Sequence, residues 1–404
     1  MGIFKTGFSF VLLTLFLLGC TESGSETKKE TSKKWYKGNL HTHSYWSDGD
    51  EFPEVILDWY KSKGYHFAAL SDHNTLAEGE KWVTIREDSL YEKAFQGYLH
   101  DYGPEWVEHK IDSGRTLVKL KTYQEYRDRV EQAGSFLVIQ SEEITDKFED
   151  KHIHMNATNI QKKIEPLGGT SVANVMQNNL DQVLQQRKET GIPMIPHINH
   201  PNFFYSISLD DMISLNGERF FEVYNGHHMV QNMGDSTHIS TEEMWDLINI
   251  SYIENEKPIM YGLATDDSHN YHQKGNTWSN AGRGWVTVQA DTLSAAAIVA
   301  SLESGDFYAS TGVELKSLSY SDNSLFVEIE PENDVEYKIT FIGCKKGQAE
   351  TEELAFSNGT SAQFDVTAEL LFVRCKITSS KLQENPIEEL LYEMAWTQPV
   401  RPAK

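Results

Sequence analysis

The sequence predicts an α/β protein, a barrel built from seven strand and helix units followed by a small all-β module. Three observations carry this expectation. From Trp35 to about Ser317, short apolar runs alternate with amphipathic stretches, the pattern of repeated strand–helix units. Seven such runs can be counted, and seven units favour a closed parallel barrel, although an open doubly wound sheet would leave the same pattern. After about Ser317 the texture changes to period-two alternation, as in Leu325, Val327 and Ile329 and again in Tyr337, Ile339 and Phe341.

The segments follow in order. Lys5 precedes an apolar stretch, residues 7–18, that as a helix would reach about 18 Å, too short for a bilayer. A basic start, a short apolar centre and a small residue before a break describe a secretory signal, which takes no part in the fold. The Leu17-Leu18-Gly19-Cys20 ending resembles the lipobox of bacterial lipoproteins. That resemblance implies cleavage before Cys20, lipidation of its thiol and an exported chain anchored to the membrane of the bacterial cell envelope. Residues 21–34 have no apolar side chain and read as a solvated tether.

The barrel is expected over residues 35–317, with strands at 36–43, 66–73, 136–143, 152–158, 192–198, 219–225 and 258–267. Helices are expected at 54–63, stopped by Gly64, and at 172–190, with Val175, Met176, Leu180 and Val183 on one face and Gly191 as the stop. Residues 77–134 exceed a normal connection and carry a helical signal of their own at 122–134, as functional insertions do. The all-β module is expected over 318–404 and ends in the extended run 394–400.

Composition narrows the function. The 404 residues hold 60 acidic and 36 basic side chains, a net charge of −24 that argues against nucleic acid as a partner. Three cysteines cannot frame a disulfide scaffold. With Cys20 lipidated, Cys344 and Cys375 remain in strand-like runs, where a disulfide or two buried thiols would both be compatible with export.

All 15 histidines lie between His41 and His272, a bias that marks the first unit as the chemical one. His41 and His43 stand two apart at the end of the first strand, so both imidazoles point to one face. Asp267 and His269 repeat that spacing after the seventh strand. Asp48, Asp72, His73, Glu142, Glu143, His154 and His200 also fall at or after the C-terminal ends of successive strands, the catalytic face of a barrel.

In order, HTHSYWSDG, SDHN, EEIT, HIHMNAT, INHP and DDSH resemble the motifs of the polymerase and histidinol phosphatase (PHP) superfamily of metallohydrolases. The resemblance spans about residues 36–312, and the later run GRGWVTVQADTLSAAAIVASLESGDFYASTGVEL resembles exported members related to histidinol phosphatases and carbaryl hydrolases. It implies a distorted seven-stranded (β/α) barrel, similar to a TIM barrel, and two or three divalent ions, with zinc, manganese and iron equally suited to the donors.

The implied ligands are His41, His43, Glu143 and Asp267 for a first ion. Glu143 also bridges to a second ion at His154 and His200, and Asp48, His73 and His269 hold a third. Asp48, His73 and His269 are also the expected catalytic residues. Glu142 competes with Glu143, His152 with His154 and His197 with His200; the family pattern prefers the second of each pair. Asp72 is expected to orient an imidazole. Arg283 and His227 are the expected substrate contacts, with His228 and Asn225 nearby, and Arg115, Lys119 and Lys121 are candidates for adding positive charge over the site.

The implied function is hydrolysis of a small anionic substrate, a phosphate ester, by hydroxide generated at a trinuclear centre. A carboxylic ester, carbamate or amide hydrolase on the same fold is the first alternative. A binding lipoprotein without catalysis is the second.

Overall fold

The first elements are β1 (Lys34–Asn39), α1 (Pro53–Ser62) and β2 (Phe67–Leu70) in a computed structural model that describes residues 1–3, 33–387 and 390–403. Cys20, the apolar run before it and nearly all of the tether lie outside the described residues. Among the described residues no helix is long and apolar enough to cross a membrane.

An insertion follows, comprising β3 (Trp82–Thr84), α2 (Ser89–Tyr102), β4 (His109–Asp112), β5 (Arg115–Lys119) and α3 (Tyr123–Val130). The path continues through β6 (Leu137–Phe148), β7 (Lys151–Thr158), α4 (Val172–Thr190), β8 (Ile195–Ile198), α5 (Leu209–Ser214), β9 (Phe220–Asn225), α6 (Thr241–Glu254) and β10 (Tyr261–Thr265). Then come β11 (Trp285–Ala290), α7 (Ala295–Ser304) and β12 (Phe307–Ser310). The C-terminal part holds β13 (Leu315–Ser321), β14 (Ser324–Ile329), β15 (Tyr337–Lys345), β16 (Glu352–Asn358), β17 (Ser361–Asp365), β18 (Leu370–Leu382) and β19 (Tyr392–Thr397).

Each of the seven expected barrel strands forms, as β1, β2, β6, β7, β8, β9 and β10. They hydrogen-bond in that order. The ring closes beyond the strand ends, where Thr42 and Ser268 form a parallel bridge, the Asp267 amide donates to the His41 carbonyl at 3.0 Å and the His43 amide to Ser268 at 2.9 Å. One expectation fails: β7 runs antiparallel to both β6 and β8, because β6 and β7 form a direct hairpin rather than a strand–helix–strand unit. The barrel is also open along part of one seam, since Lys34 to Gly38 pair with β11 instead of β10.

The helices begin and end where local chemistry directs. Pro53 opens α1, whose Ile56, Leu57 and Tyr60 are buried. Ser171 caps α4 by accepting from the Asn174 amide, and Gly191, at φ 69°, ends it in the left-handed region. Thr122 and Glu125 form a capping box on α3. The insertion builds a small sheet, β3-β5-β4, and packs Tyr91, Phe95 and Tyr98 on Phe52, Ile56 and Leu57 of the first unit. It walls one side of the barrel mouth.

In the C-terminal part the period-two residues are the buried ones: Leu325, Val327 and Ile329 of β14 face Tyr337, Ile339 and Phe341 of β15 in one core. The sheet β13-β14-β17 covers one side of that core. The other sheet is continuous with the barrel, because β19 pairs with β12 on one edge and β18 on the other. Cys344 and Cys375 are both free and buried. The ladder pairs Cys375 with Phe341 and Cys344 with Phe372, an offset of three residues that puts the thiols on opposite sheet faces, so the disulfide alternative is set aside.

Arg374 of β18 fastens this part to α6. Its guanidinium is buried and bidentate on Asp246 at 2.6 and 2.8 Å and reaches Glu242 at 3.0 Å, while Lys376 takes the other Glu242 oxygen at 2.6 Å. Burial disfavours the Glu242 anion, yet Arg374 and Lys376 outweigh it and hold its pKa down to about 2, below its ordinary 4.5. A carboxyl depressed on folding stabilises the fold above its unfolded pKa and loses that contribution as pH falls through the folded value. Arg374→Met should therefore cost about 3–5 kcal/mol in urea unfolding at pH 7, because Asp246 loses its charged partner and Glu242 keeps only Lys376. The same variant should show a flatter stability profile than the parent between about pH 4.5 and 2. Equal pH profiles would show that Glu242 gains nothing from the pair.

Candidate metal centre

Every barrel strand delivers a polar side chain to one end of the barrel. His41 and His43 follow β1, His73 follows β2, Glu143 lies in β6, His154 in β7, His200 follows β8, Glu222 and Asn225 lie in β9, and Asp267 and His269 follow β10. His154 stands in the first half of β7, not at its C-terminal end as expected. It reaches the same mouth because β7 runs the opposite way, pairing His154 with Thr145.

Donor atoms sit at the spacing an ion would require. Four ligands about 2.0–2.1 Å from a tetrahedral ion lie about 3.3 Å apart. His41 Nε2 is 3.1 Å from His43 Nε2, both are 3.2 Å from Asp267 Oδ1, and they lie 3.4 Å from the two Glu143 oxygens respectively. Glu143 Oε1 is 3.1 Å from His154 Nδ1 and 3.5 Å from His200 Nε2. Asp48 is 3.5 Å from His73 Nε2 and 3.4 Å from His269 Nε2, with His43 Nδ1 3.7 Å away. His43, Asp48, His73 and His269 thus form one potential cation group, His41, His43 and Asp267 a second, and Glu143 joins two more, one with His41 and His200 and one with His73 and His154.

A hydrogen-bonding account of these contacts is incomplete. Glu222 Oε1 sits 2.7 Å from His41 Nδ1, so that nitrogen carries the proton and Nε2 turns its lone pair toward Asp267 and Glu143. Glu143 Oε2 is buried without a hydrogen bond; His73 Nδ1, 2.7 Å away, is out of line with it. Lone pairs facing lone pairs in a buried site require a proton or a cation between them, and the donor set fits a divalent ion.

The electrostatics agree. Burial disfavours charge on Glu143 and Asp267, but the surrounding imidazoles outweigh it and hold both carboxyls well below their usual range. Asp48 and Glu222 are depressed for the same reason. Burial opposes protonation of His41 and His73 too, yet the carboxylates lift His41 well above its ordinary value and His73 to about 11. His43, buried and beside His269 and His73, drops to about 3. The anionic cluster is balanced by protons on imidazoles, for which a divalent ion would exchange.

Two residues that hold the donors, Glu222 and Asn199, escaped the sequence. Glu222, the single carboxylate in the apolar run FFEVYN, accepts from Thr265 at 2.8 Å, the His200 amide at 2.9 Å and Asn225 at 2.7 Å besides holding His41. Its isolation among apolar neighbours was the signal. Asn225 also donates to Asp267 Oδ2 at 3.1 Å, and Asn199 donates to Glu143 Oε1 at 2.7 Å and to Asn156 at 3.0 Å. Asp267 at φ 48° and His200 at φ 24° occupy the left-handed region that non-glycine residues avoid, held there by these contacts. Gly49 lets the Asp48 loop close on His43, since a Cβ there would lie 2.6 Å from the His43 carbonyl.

The competing pairs separate by strand face and depth. Glu142 points away from Glu143 and accepts from the Ile164 amide at 2.6 Å; burial raises it to about 8. His152 lies against Phe203 and Phe204, outside the donor groups. His197 is buried behind the cluster, 3.5 Å from Glu222, and His200 faces Glu143.

Three expectations are corrected. Asp72 accepts from the Ser44 amide and hydroxyl, both at 2.7 Å, and from Ser47 at 2.6 Å, so it anchors the loop and touches the His43 imidazole only through Ser47. Arg283 is buried, and its five N–H groups are spent on the carbonyls of Asn385, Gly226, Trp278 and Gly275 and the Asn385 amide oxygen, which leaves none for a substrate. Arg115 and Lys119 are drawn to Glu87, Glu80 and Glu108, and Lys121 lies over the Trp106 ring, so the insertion does not aim its charge at the donors. His227 does stand at the site, its ring 5.4 Å from that of His269, and His228 turns to Ser279 at 3.0 Å.

No family model matches the chain, and no curated protein matches it. Among solved structures it is similar to a two-domain protein from Bacteroides vulgatus, described as containing a predicted PHP-like metal-dependent phosphoesterase. That match has 13% identity and a TM-score of 0.39 over 91% of this chain and 96% of that one. A second, from Bifidobacterium adolescentis and described as a proposed metal-dependent phosphoesterase, has 12% identity and a TM-score of 0.30 over 58% of this chain and 88% of that one.

Glu222→Gln keeps the shape of the side chain and removes the charge behind His41, and should weaken zinc binding about 10–100-fold in competition with a chromogenic chelator. Glu142→Gln, one strand face away, should leave that affinity unchanged. Equal affinities for the parent and Glu222→Gln would show that His41 does not need the carboxylate.

Proposed function

We propose that the chain is an exported, metal-dependent hydrolase of phosphate esters. The observation that carries the reading is the buried set His41, His43, Glu143 and Asp267, whose donor atoms converge at the spacing of a first-row ion. The ordered resemblance of its motifs to the PHP superfamily supports the same conclusion. His41, His43, Glu143 and Asp267 would hold a first ion, His154 and His200 with Glu143 a second, and Asp48, His73 and His269 a third. Such ions lower the pKa of water and neutralise charge on a phosphoryl group.

The chain's own residues supply the rest. Glu222 and Asn225 hold His41 and Asp267 in place, so the donors do not reorganise when charge develops. His227 is kept neutral, lowered to about 3 by burial and by His269, His228 and His200. Its Nδ1 accepts from the Met229 amide at 3.2 Å, which places its proton on Nε2 and makes it a donor for an anionic oxygen beside His269. The substrate's charge is met inside the site, which reconciles an anionic substrate with a chain of net charge −24.

The protein lacking residues 1–20, loaded separately with manganese and zinc, should hydrolyse a chromogenic phosphomonoester or phosphodiester. The His41→Ala, His43→Ala variant should lose that turnover by several orders of magnitude. Turnover of a carboxylic ester alone would overturn the phosphoesterase reading in favour of the other hydrolase. In the full-length chain expressed in a bacterium, labelled palmitate should enter the parent and not Cys20→Ala; labelling of both would remove Cys20 as the lipidation site.

A further inference from the structure

Three lysines without a carboxylate partner line one crevice of about 700 Å³ between the barrel and the C-terminal part. Lys37, within β1, lies deepest, with its ammonium 3.6 Å from the centre of the Trp285 ring and 4.3 Å from that of Tyr65. Lys63, from the residue after α1, and Lys274, from the loop after His269, stand exposed at the rim, and Trp59 forms a side wall. No carboxylate comes within 4.0 Å of any of the three amines among the described residues. Other lysines of the chain meet a carboxylate, as Lys119, Lys316, Lys338 and Lys376 do, or a backbone carbonyl, as Lys61 and Lys257 do. Two acids do border the crevice, Glu384 and Glu393, and Glu393 is engaged by Lys381 at 3.2 Å.

A half-buried ammonium held only by ring faces is an incomplete site. Buried charges are ordinarily paired, and a cation that is not paired within the chain favours an anion from outside. Burial lowers Lys37 to about 8 against the distant pull of Glu314, Asp266 and Glu393, so at neutral pH the amine is still mostly charged. The aromatic walls add a requirement of shape: Trp59, Tyr65 and Trp285 offer flat apolar surfaces beside the charge. Pockets between structural units are where such ligands bind.

We propose that this crevice binds a small organic anion built on a ring, its charged group meeting Lys37 and Lys274 and its ring lying against Trp59 and Trp285. The site shares no residue with the metal donors and does not depend on the hydrolase reading. An aromatic acid and an acidic sugar both have this chemistry.

Calorimetric titration of the protein with 1-naphthoate and with a glucuronate-containing disaccharide separates the two sources, with naphthalene-1-methanol and cellobiose as neutral counterparts. At least one anion should bind, more tightly than its neutral counterpart. Lys37→Met and Lys274→Met should each weaken it about tenfold or more, the value of one charge-assisted contact, and Lys37→Arg should retain it. Lys274→Met alters an exposed side chain and carries the test if Lys37→Met does not fold. Failure of both anions to bind, a neutral counterpart binding as tightly as its anion, or affinity unchanged in the lysine variants would overturn the proposal.

Discussion

The site depends on one short parallel ladder, formed where the chain after β1 meets the chain after β10. The bonds from the Asp267 amide to the His41 carbonyl and from the His43 amide to Ser268 close the barrel, and they fix two side-chain pairs at the same time. Because neighbours two apart on a strand share a face, closing the ring in this register turns His41, His43, Asp267 and His269 inward together. Tertiary closure and assembly of the donor group are therefore one event. A slip of one residue would face Thr42 and Ser268 into the site and the donors into the core. The positive φ of Asp267 belongs to this junction, where the chain must turn while its amide stays bonded.

Around that ladder the structure concentrates charge where the rest of the molecule excludes water. Glu143, Glu222 and Asp267 are all buried, and the groups that meet them are imidazoles, amides and the Thr265 hydroxyl, with no lysine or arginine among the described residues within 4.0 Å. The amides of Asn199 and Asn225 do not neutralise the carboxylates; they orient them, and Asn156 holds Asn199. This explains why single orienting residues come from several strands. Glu222 of β9 holds His41, Asn225 of β9 holds Asp267 and Asn199 after β8 holds Glu143, so the barrel sheet is the scaffold of the hydrogen-bond network as well as its support.

Much of this was legible in the sequence, and the lapses have physical causes. The seven strands read clearly because barrel strands buried on both faces are near-continuous apolar runs. Gly191 and Ser171 bounded α4 because caps are local chemistry. The direction of β7 was not legible, since the alternation of a strand is the same read either way, and only the two-residue turn after Phe148 distinguishes a hairpin from a crossover. Arg283 was misjudged because a guanidinium looks the same in sequence whether it meets an anion or five acceptors of its own chain. Asp72 was placed against an imidazole by type, whereas the Ser44 and Ser47 hydroxyls between them are visible only in space.

The C-terminal part completes the barrel rather than standing apart from it. Where β1 leaves β10 to pair with β11, the free edge of β10 is met by Gln398, whose side-chain amide exchanges two 2.9 Å hydrogen bonds with the Gly262 backbone as a strand would. Earlier in the tail, Asn385 holds Arg283, and Arg283 in turn fastens Gly226, Gly275 and Trp278. Asp266, next to Asp267, accepts from the amides of Gly282, Arg283 and Gly284. The loop that carries His269 is thus gripped on one side by the barrel and on the other by the tail. A barrel closed only at its mouth needs something to hold its seam below, and Gln398 and Asn385 do so from the last fifth of the chain, which makes the geometry of the donors a property of both parts together.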